Sequence, residues 1–424
     1  MKNFVIKGDI CYSLTPREIK TAKASHLVCL EGKSAGVYET LPERYKNLPL
    51  LDYADHLVLP GATDLHIHAP QFSFQALGMD LELLDWLNTY TFPAESKFSD
   101  LDYARTIYSA FVHDLMRGPN TRVVIFATRH VPATLLLMDL LEESGLRTMV
   151  GKVNMDRHSI TGLCEEDAAL SLASTRAWLE EALVRYQHTT PILTPRFIPS
   201  CSDILMAGLG EIQRAFKLPV QSHLSENPKE VDWVHELVPE IKSYGHAYLN
   251  HGLFGGKVPT IMAHCIWPSE AEFALMKEQK IWVAHCPQSN MNLASGIAPI
   301  RRYLDADIPV GLGSDMAAGA HTSMFRAMTD AVGMSKLYWR LVDENADPLT
   351  LEEAFYLGTI GGGSFFGKVG SFAEGYELDA LVIDDRSLSP LPGLSLADRL
   401  ARVIYLSDDR HIRQKYVQGV LLRR

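Results

Sequence analysis

The sequence predicts an α/β protein: a (β/α)8 TIM-like barrel with a small β-sandwich domain formed from both chain termini. Three observations point there. Eight short apolar runs alternate with longer amphipathic segments through the middle of the chain. A histidine, arginine or aspartate closes or follows most of those runs, and both ends of the chain carry β-like pieces, the N-terminal one without a strong helix. The barrel is expected over residues 58–369, and the composite β-domain over 1–57 and 370–424.

Taken in order, the strands are expected at 62–66, 123–128, 148–154, 192–196, 220–223, 261–264, 282–285 and 310–313. Helix-period segments fill most of the gaps, at 101–117, 165–187, 202–216, 228–237 and 270–278. The terminal β-pieces read at 3–10, 26–31, 36–39, 379–383 and 413–422. Strands alternating with helices require crossover connections and therefore a parallel sheet.

Composition narrows the function classes. The 424 residues are 47% hydrophobic, ample for a large core. A formal net charge of −11, with no Lys/Arg run longer than two, speaks against nucleic acid or an anionic membrane as partner. No run reaches the roughly 18 apolar residues of a membrane span, and the first residues lack a secretory pattern. The six cysteines are scattered without a CxxC, which suits a reduced, cytoplasmic protein.

The unusual residues fall at strand ends. His66 and His68 follow strand one, Arg196 closes strand four and His223 strand five; His264 closes strand six, His285 strand seven, and Asp315 follows strand eight. In a β/α barrel these ends converge on one face. A lone histidine there is most often a hydrogen-bonded rim residue, but that reading does not explain the grouping. Residues i and i+2 of a strand point to one face, so both imidazoles of His66 and His68 can reach one ion. Three histidines and Asp315 suit Zn²⁺, with Fe²⁺ as the substitute, and water on such an ion ionises near neutrality. His264 is either a further ligand or a hydrogen-bond partner of that water. Glu226, three residues after His223, is the candidate general acid/base, its plainer role being a helix-start carboxylate ahead of Pro228; Asp315 can be both ligand and base. Strand four reads "ILTPRF" and lacks the carbamylated lysine that a two-metal barrel of this design usually carries, so one metal per chain is expected.

The motifs "LPGATDLHIHAPQFSF" (59–74), "LLDWLNTYTFPAE" (83–95), "TPRFIPSCS" (194–202), "QSHLSEN" (221–227), "MAHCI" (262–266), "AHCPQSNMNLASG" (284–296) and "GLGSDMAAG" (311–319) resemble the amidohydrolase superfamily and, within it, the guanine deaminase family. The likeness spans roughly residues 55–370. His-x-His and Gly-Ser-Asp are generic to the superfamily, whereas "HAPQFSF" and "TPRF" are the specific part. The resemblance implies zinc on His66, His68, His223 and Asp315, proton transfer by Glu226 and Asp315, and an orienting role for His264. It further implies a purine held by Gln71, Arg196 and Phe197, with His68, His223, Glu226, His285 and Asp315 close to it, and a homodimer.

The chemistry of that substrate agrees. Guanine offers O6 and N7 as adjacent acceptors for the Arg196 fork, and Gln71 has a donor and an acceptor for the N3 and N9 edges. Phe72, Phe74 and Phe197 either pack on the ring or belong to the core. The implied reaction takes guanine and water to xanthine and ammonia. The alternatives are another single-metal deaminase or hydrolase of this superfamily, acting on a different purine, a pterin or a triazine, or a catalytically idle scaffold. A scaffold has no physical need for the ligand set.

Overall fold

The computed structural model describes residues 2–160, 162–388, 391 and 393–423. Residues 1, 389, 390, 392 and 424 of the expected terminal domain, and residue 161 of the expected barrel, lie outside the described residues. The chain opens with β1 (Phe4–Thr15), β2 (Glu18–Leu30), β3 (Lys33–Tyr38) and β4 (Leu50–Pro60). Its middle carries β5 (Ala62–His68), β6 (Asn120–Phe126), β7 (Arg147–Gly151), β8 (Val153–Asn154), β9 (Thr189–Pro191), β10 (Thr194–Pro195), β11 (Val220–Leu224), β12 (Thr260–His264), β13 (Trp282–His285) and β14 (Val310–Leu312). It ends with β15 (Ala380–Ile383), β16 (Ile412–Val417) and β17 (Val420–Leu421).

The fold is mixed α/β. Strands β5-β6-β7-β9 form one parallel sheet and β11-β12-β13-β14 another, with β8 and β10 paired beside them. Leu193 bridges to Val220 at one junction of the two sheets. At the other, Asp315 N donates to His66 O (2.8 Å) and His68 N to Met316 O (3.2 Å). Every residue of β5, β6, β11 and β12 is buried, as expected of strands covered on both faces. Leu65, Val124, Ile261, Ala263 and Ala284 contribute to a core between the strands, while a larger one lies between strands and helices.

The helices start where the chain can satisfy its first N–H groups. Leu101–Arg117, expected at those bounds, is capped by the Asp100 carboxylate, which accepts from Asp102 N and Tyr103 N. Pro228–Leu237 carries a capping box between Asn227 and Glu230. Strands three and four are each broken, unlike the continuous runs expected at 148–154 and 192–196. The prolines Pro191 and Pro195 have no N–H to give to a ladder, and the hydrogen bond from Ile192 N to Val150 O (3.0 Å) keeps the segments in line.

The two ends of the chain meet in one seven-stranded sheet, in the order β17-β16-β15-β4-β1-β2-β3, with only β1 and β4 parallel. One expectation needs correction. The C-terminal stretch is not all β-like, because Leu396–Leu406 is a helix. Ser395 and Asp398 close a capping box at its start, and Leu400, Val403 and Ile404 are buried.

Arg122 ties this sheet to the parallel strands. From β6 its Nε reaches Asp379 Oδ2 (2.6 Å) and its Nη2 reaches Asp379 Oδ1 (3.1 Å) and Glu377 Oε2 (2.5 Å). The Arg122 and Asp379 side chains are 4% and 0% exposed. Breaking such a pair from one side leaves a buried charge without its partner, at a cost of about 3–5 kcal/mol. Asp379→Ala is therefore expected to lower stability by roughly 3 kcal/mol, with Glu377 offsetting part of the loss. Denaturant unfolding followed by circular dichroism measures it, and a change below about 1 kcal/mol would show that the pair is not what joins the two parts.

Candidate active site

The predicted strand-end residues other than His285 meet in one buried volume. His66 and His68 leave β5 on one side, and their rings sit 4.9 Å apart, edge to face. His223 from β11 approaches to 4.8 Å from the His66 ring and 5.2 Å from the His68 ring. His264 stacks on His223 at 5.5 Å. Asp315 Oδ1 lies 3.2 Å from His66 Nε2 and 3.6 Å from His68 Nε2, and its Oδ2 lies 3.8 Å from His264 Nε2.

The backbone is shaped for this approach. Asp64, fully buried, accepts from His66 N (3.1 Å), Ser314 N (3.0 Å) and Ser314 Oγ (2.5 Å), pinning the end of β5 to the segment after β14. Burial pushes the Asp64 carboxyl up to about 7 against the lowering effect of those bonds. Gly313 lets the segments come close: a Cβ there would stand 2.8 Å from Cys286 Sγ and 2.9 Å from His66 Cβ. His264 (φ 71°) and Asp315 (φ 46°) both occupy the left-handed region, unusual for side-chain-bearing residues and characteristic of functional sites.

Two overlapping sets of ligand-type atoms lie within 4.8 Å of one another: His66, His68 and His223, and His66, His264, Cys286 and Asp315. The residues fit a divalent cation. His66 Nε2 is buried and makes no hydrogen bond. His223 Nδ1 donates to Arg196 O (2.6 Å) and His264 Nδ1 to Asn290 Oδ1 (2.9 Å), which leaves both Nε2 lone pairs facing the cluster. His68 and His223 oppose their Nε2 atoms at 3.2 Å, an approach that needs a proton or a cation between two lone pairs. Burial lowers the basicity of His66, His68 and His223, keeping them in the neutral, ligating form. Burial also pushes Asp315 up, but His66 and its other partners hold it at about 2, as a carboxylate. Cys286 turns its thiol to Ala284 O (3.4 Å).

Beside the cluster a pocket is lined by His68, Gln71, Arg196, His223, Glu226, His264 and Asp315, with Leu83, Trp86, Leu87, Phe197 and Leu293 as its apolar part. Glu226 Oε2 lies 3.5 Å from His264 Nε2. Burial raises its pKa well above the usual carboxylate range, and the charges of Asp315 and Glu230 push the same way. Its main chain is held by Glu230, whose Oε2 accepts from Glu226 N (2.9 Å) and whose Oε1 accepts from Tyr244 OH (2.7 Å).

Three placements correct, decide or add to what the residues suggest in sequence. His285 does not line this cavity; it faces a smaller neighbouring one with Ile300, Arg301 and Tyr338, and burial, then His264, lowers its basicity to about 3. Phe74 packs on Trp86 (5.5 Å) and Phe72 on Phe111 (5.9 Å), both outside the cavity lining, whereas Phe197 lines it. Glu95, which the sequence reading left without a role, is 2% exposed and binds both purine-recognition candidates. Its only sequence signal is a charge within the apolar-flanked "TFPAE".

Comparison with known proteins places this geometry in a family. The amidohydrolase family model matches residues 57–422. A guanine deaminase of Dictyostelium discoideum is 39% identical over 378 residues, covering 87% of this chain and 83% of the relative. The guanine deaminase of Escherichia coli is 32% identical over 385 residues, covering 88% and 84%. Among solved structures, a guanine deaminase from C. acetobutylicum with guanine bound in its active site superposes with a TM-score of 0.97 at 44% identity, over 99% of this chain and 100% of that one.

The ligand geometry generates a prediction independent of any substrate. Elemental analysis of the purified protein is expected to find one divalent metal per chain, and His66→Ala is expected to lose it while the far-ultraviolet circular dichroism stays the same. Two metals per chain, or full metal content in the variant, would overturn the assignment of the cluster.

Proposed function

From its membership of the amidohydrolase family, to which this chain belongs, we infer that the protein is a guanine deaminase, an aminohydrolase that takes guanine and water to xanthine and ammonia. The carrying observation is that a chain matching guanine deaminases over its length sets a donor-only guanidinium, Arg196, in the same cavity as the ligand cluster. The parallel strands are proposed to close into one eight-stranded barrel over residues 58–369. The terminal sheet is proposed to fold over itself as a β-sandwich domain of 1–57 and 370–424. The edge bonds Asp315 N to His66 O and His68 N to Met316 O support closure.

In the proposed site His66, His68, His223 and Asp315 hold one Zn²⁺, with Fe²⁺ as the substitute. When bound, such an ion supplies a water whose pKa falls toward neutrality. The residues do the rest. Asp315 takes a proton from the attacking water, and His264, held by Asn290, orients it. Glu226, protonated in its buried position, gives a proton to the ring nitrogen beside C2. Water oxygen adds to C2, Asp315 passes the proton it took to the exocyclic amino group, the C2–N bond breaks to release ammonia, and the remaining hydroxyl proton returns to Glu226. The 2-oxo ring that remains is xanthine. Phe197 flanks the ring, and His68 and His223 border it. His285, on the neighbouring strand, lines a separate pocket. A cytoplasmic location is supported by six unpaired cysteines, and a homodimer by the family resemblance.

Arg196 sets the substrate's face. A guanidinium has five N–H donors and no acceptor; the two directed at Glu95 leave three for O6 and N7. Adenine would turn an amino donor to these donors. Sites built on such hydrogen bonds reject the wrong partner by about 10⁴–10⁵-fold.

Two outcomes are expected. Glu226→Gln keeps the metal and loses about 10²–10⁴-fold in kcat for guanine, read from xanthine absorbance; near-normal turnover would move proton transfer to Asp315 or His264. In a purine, pterin and triazine panel, ammonia release is expected from guanine with about 10⁴-fold preference over adenine, and Arg196→Met is expected to lose most guanine turnover with its metal retained. Efficient adenine, pterin or triazine hydrolysis would assign the protein to another substrate.

A further inference from the structure

Glu95 is a buried acid that the reaction above does not use. It ends the helical turn Phe92–Glu95, far in sequence from both of its partners. Its Oε2 accepts from Arg196 Nη1 at 2.6 Å and its Oε1 from Arg196 Nη2 at 3.2 Å, a two-point pairing. The same Oε1 accepts from Gln71 Nε2 at 3.1 Å. Gln71 Oε1 in turn accepts from Ala317 N at 3.3 Å, so the amide cannot flip without losing two bonds. Phe92, from the same turn as Glu95, lies against the Arg196 guanidinium at 5.4 Å. One carboxylate thus fixes the orientation of both polar side chains that face a purine.

The pair also has an electrostatic consequence. Arg196 and Glu95 side chains are 4% and 2% exposed, so their charges are compensated inside the pocket rather than by solvent. The other ionisable groups around them are Tyr108, which faces Glu95, and His68 and Glu226, which feel Arg196. With Glu95 in place Arg196 offers directed donors without a free positive charge. Without it, a buried cation would stand in the pocket uncompensated and would favour an anionic ring.

We propose that Glu95 is the positioning residue of the purine pocket: it presets Arg196 and Gln71 for guanine and, by cancelling the charge of Arg196, keeps the pocket selective for a neutral ring. The proposal rests on the guanine deaminase reading. It matters for product release, because xanthine carries a second ring carbonyl in place of the amino group and loses a proton more readily than guanine. An uncompensated Arg196 would hold the xanthine anion.

The test uses the metal-loaded enzyme and its Glu95→Gln and Glu95→Asp variants. Glu95→Gln is expected to raise KM for guanine by about 10–100-fold, the scale of losing charged hydrogen bonds, with kcat falling by less than about threefold. Xanthine inhibition of that variant is expected to tighten relative to the wild type as pH rises from neutral to mildly alkaline. Glu95→Asp keeps the charge on a shorter arm: it is expected to raise KM without the pH-dependent gain in xanthine binding. It also keeps the question open to experiment should Glu95→Gln not fold. Glu95→Gln with unchanged KM, or with kcat and KM lost together and xanthine inhibition parallel to the wild type at every pH, would overturn the proposal. Absence of guanine turnover by the wild type would instead overturn the functional reading beneath it.

Discussion

The structure depends on one electrostatic constraint: four imidazoles and two carboxylates share a buried volume where water cannot solvate them. His66, His68, His223 and His264, with Glu226 and Asp315, are all 9% exposed or less. Neutral imidazoles with lone pairs turned toward one another repel, and a buried carboxylate without a counter-charge is costly. A divalent cation resolves both at once, which is why ligand chemistry explains this cluster better than packing does. Each surrounding bond then has a function. Arg196 O and Asn290 Oδ1 select the tautomers of His223 and His264, and Glu230 holds the main chain of Glu226.

The fold meets that constraint with strained backbone at the site. Ser225 (φ 48°), His264 (φ 71°), Cys265 (φ 49°) and Asp315 (φ 46°) all lie in the left-handed region, each costing on the order of 1–3 kcal/mol. Neighbouring bonds hold them there. Ser225 Oγ donates to the buried Glu272 (2.6 Å), Tyr303 OH to Cys265 O (2.6 Å), and Asp64 grips both sides of the junction near Asp315. Strand ends are where this is affordable, since the strands behind them are fully buried and continuous.

Charge is then graded across the pocket. On the cluster side Asp315 is held ionised and Glu226 is pushed toward its protonated form, so neighbouring carboxyls differ in readiness to give or take a proton. Elsewhere in the pocket lining Arg196 is matched by Glu95. In the proposed reaction, proton transfer falls to Asp315 and Glu226, and recognition of the purine to Arg196 and Gln71.

Much of this was legible in the sequence. Alternating apolar runs and helix-period segments indicate parallel strands with crossovers, and Leu101–Arg117 and Trp282–His285 fall at the expected bounds, because burial periodicity and capping chemistry are local properties. Which histidines and which aspartate would meet was legible too, since His66-x-His68, His223 and Asp315 stand at strand ends and a parallel α/β topology brings such ends together. Other features were not. The breaks in strands three and four lie beside a close approach that no local pattern signals: a Cβ on Gly151 would meet Thr194 Oγ1 at 1.7 Å. The helix Leu396–Leu406 lies between two β-like pieces of an end expected to be β-rich, and its buried face has meaning only against its neighbours. Glu95, Asp64 and Glu230 look like ordinary acids in sequence; only folding sets each against partners up to 250 residues away. His285 shows the converse, a histidine at a strand end that turns to another cavity. Sequence by itself determined which side chains could do the chemistry, because ligand and acid–base capacity belong to residue type. Tertiary structure alone decided which of them face one another, because orientation and charge compensation are set by contacts between segments that the chain order does not encode.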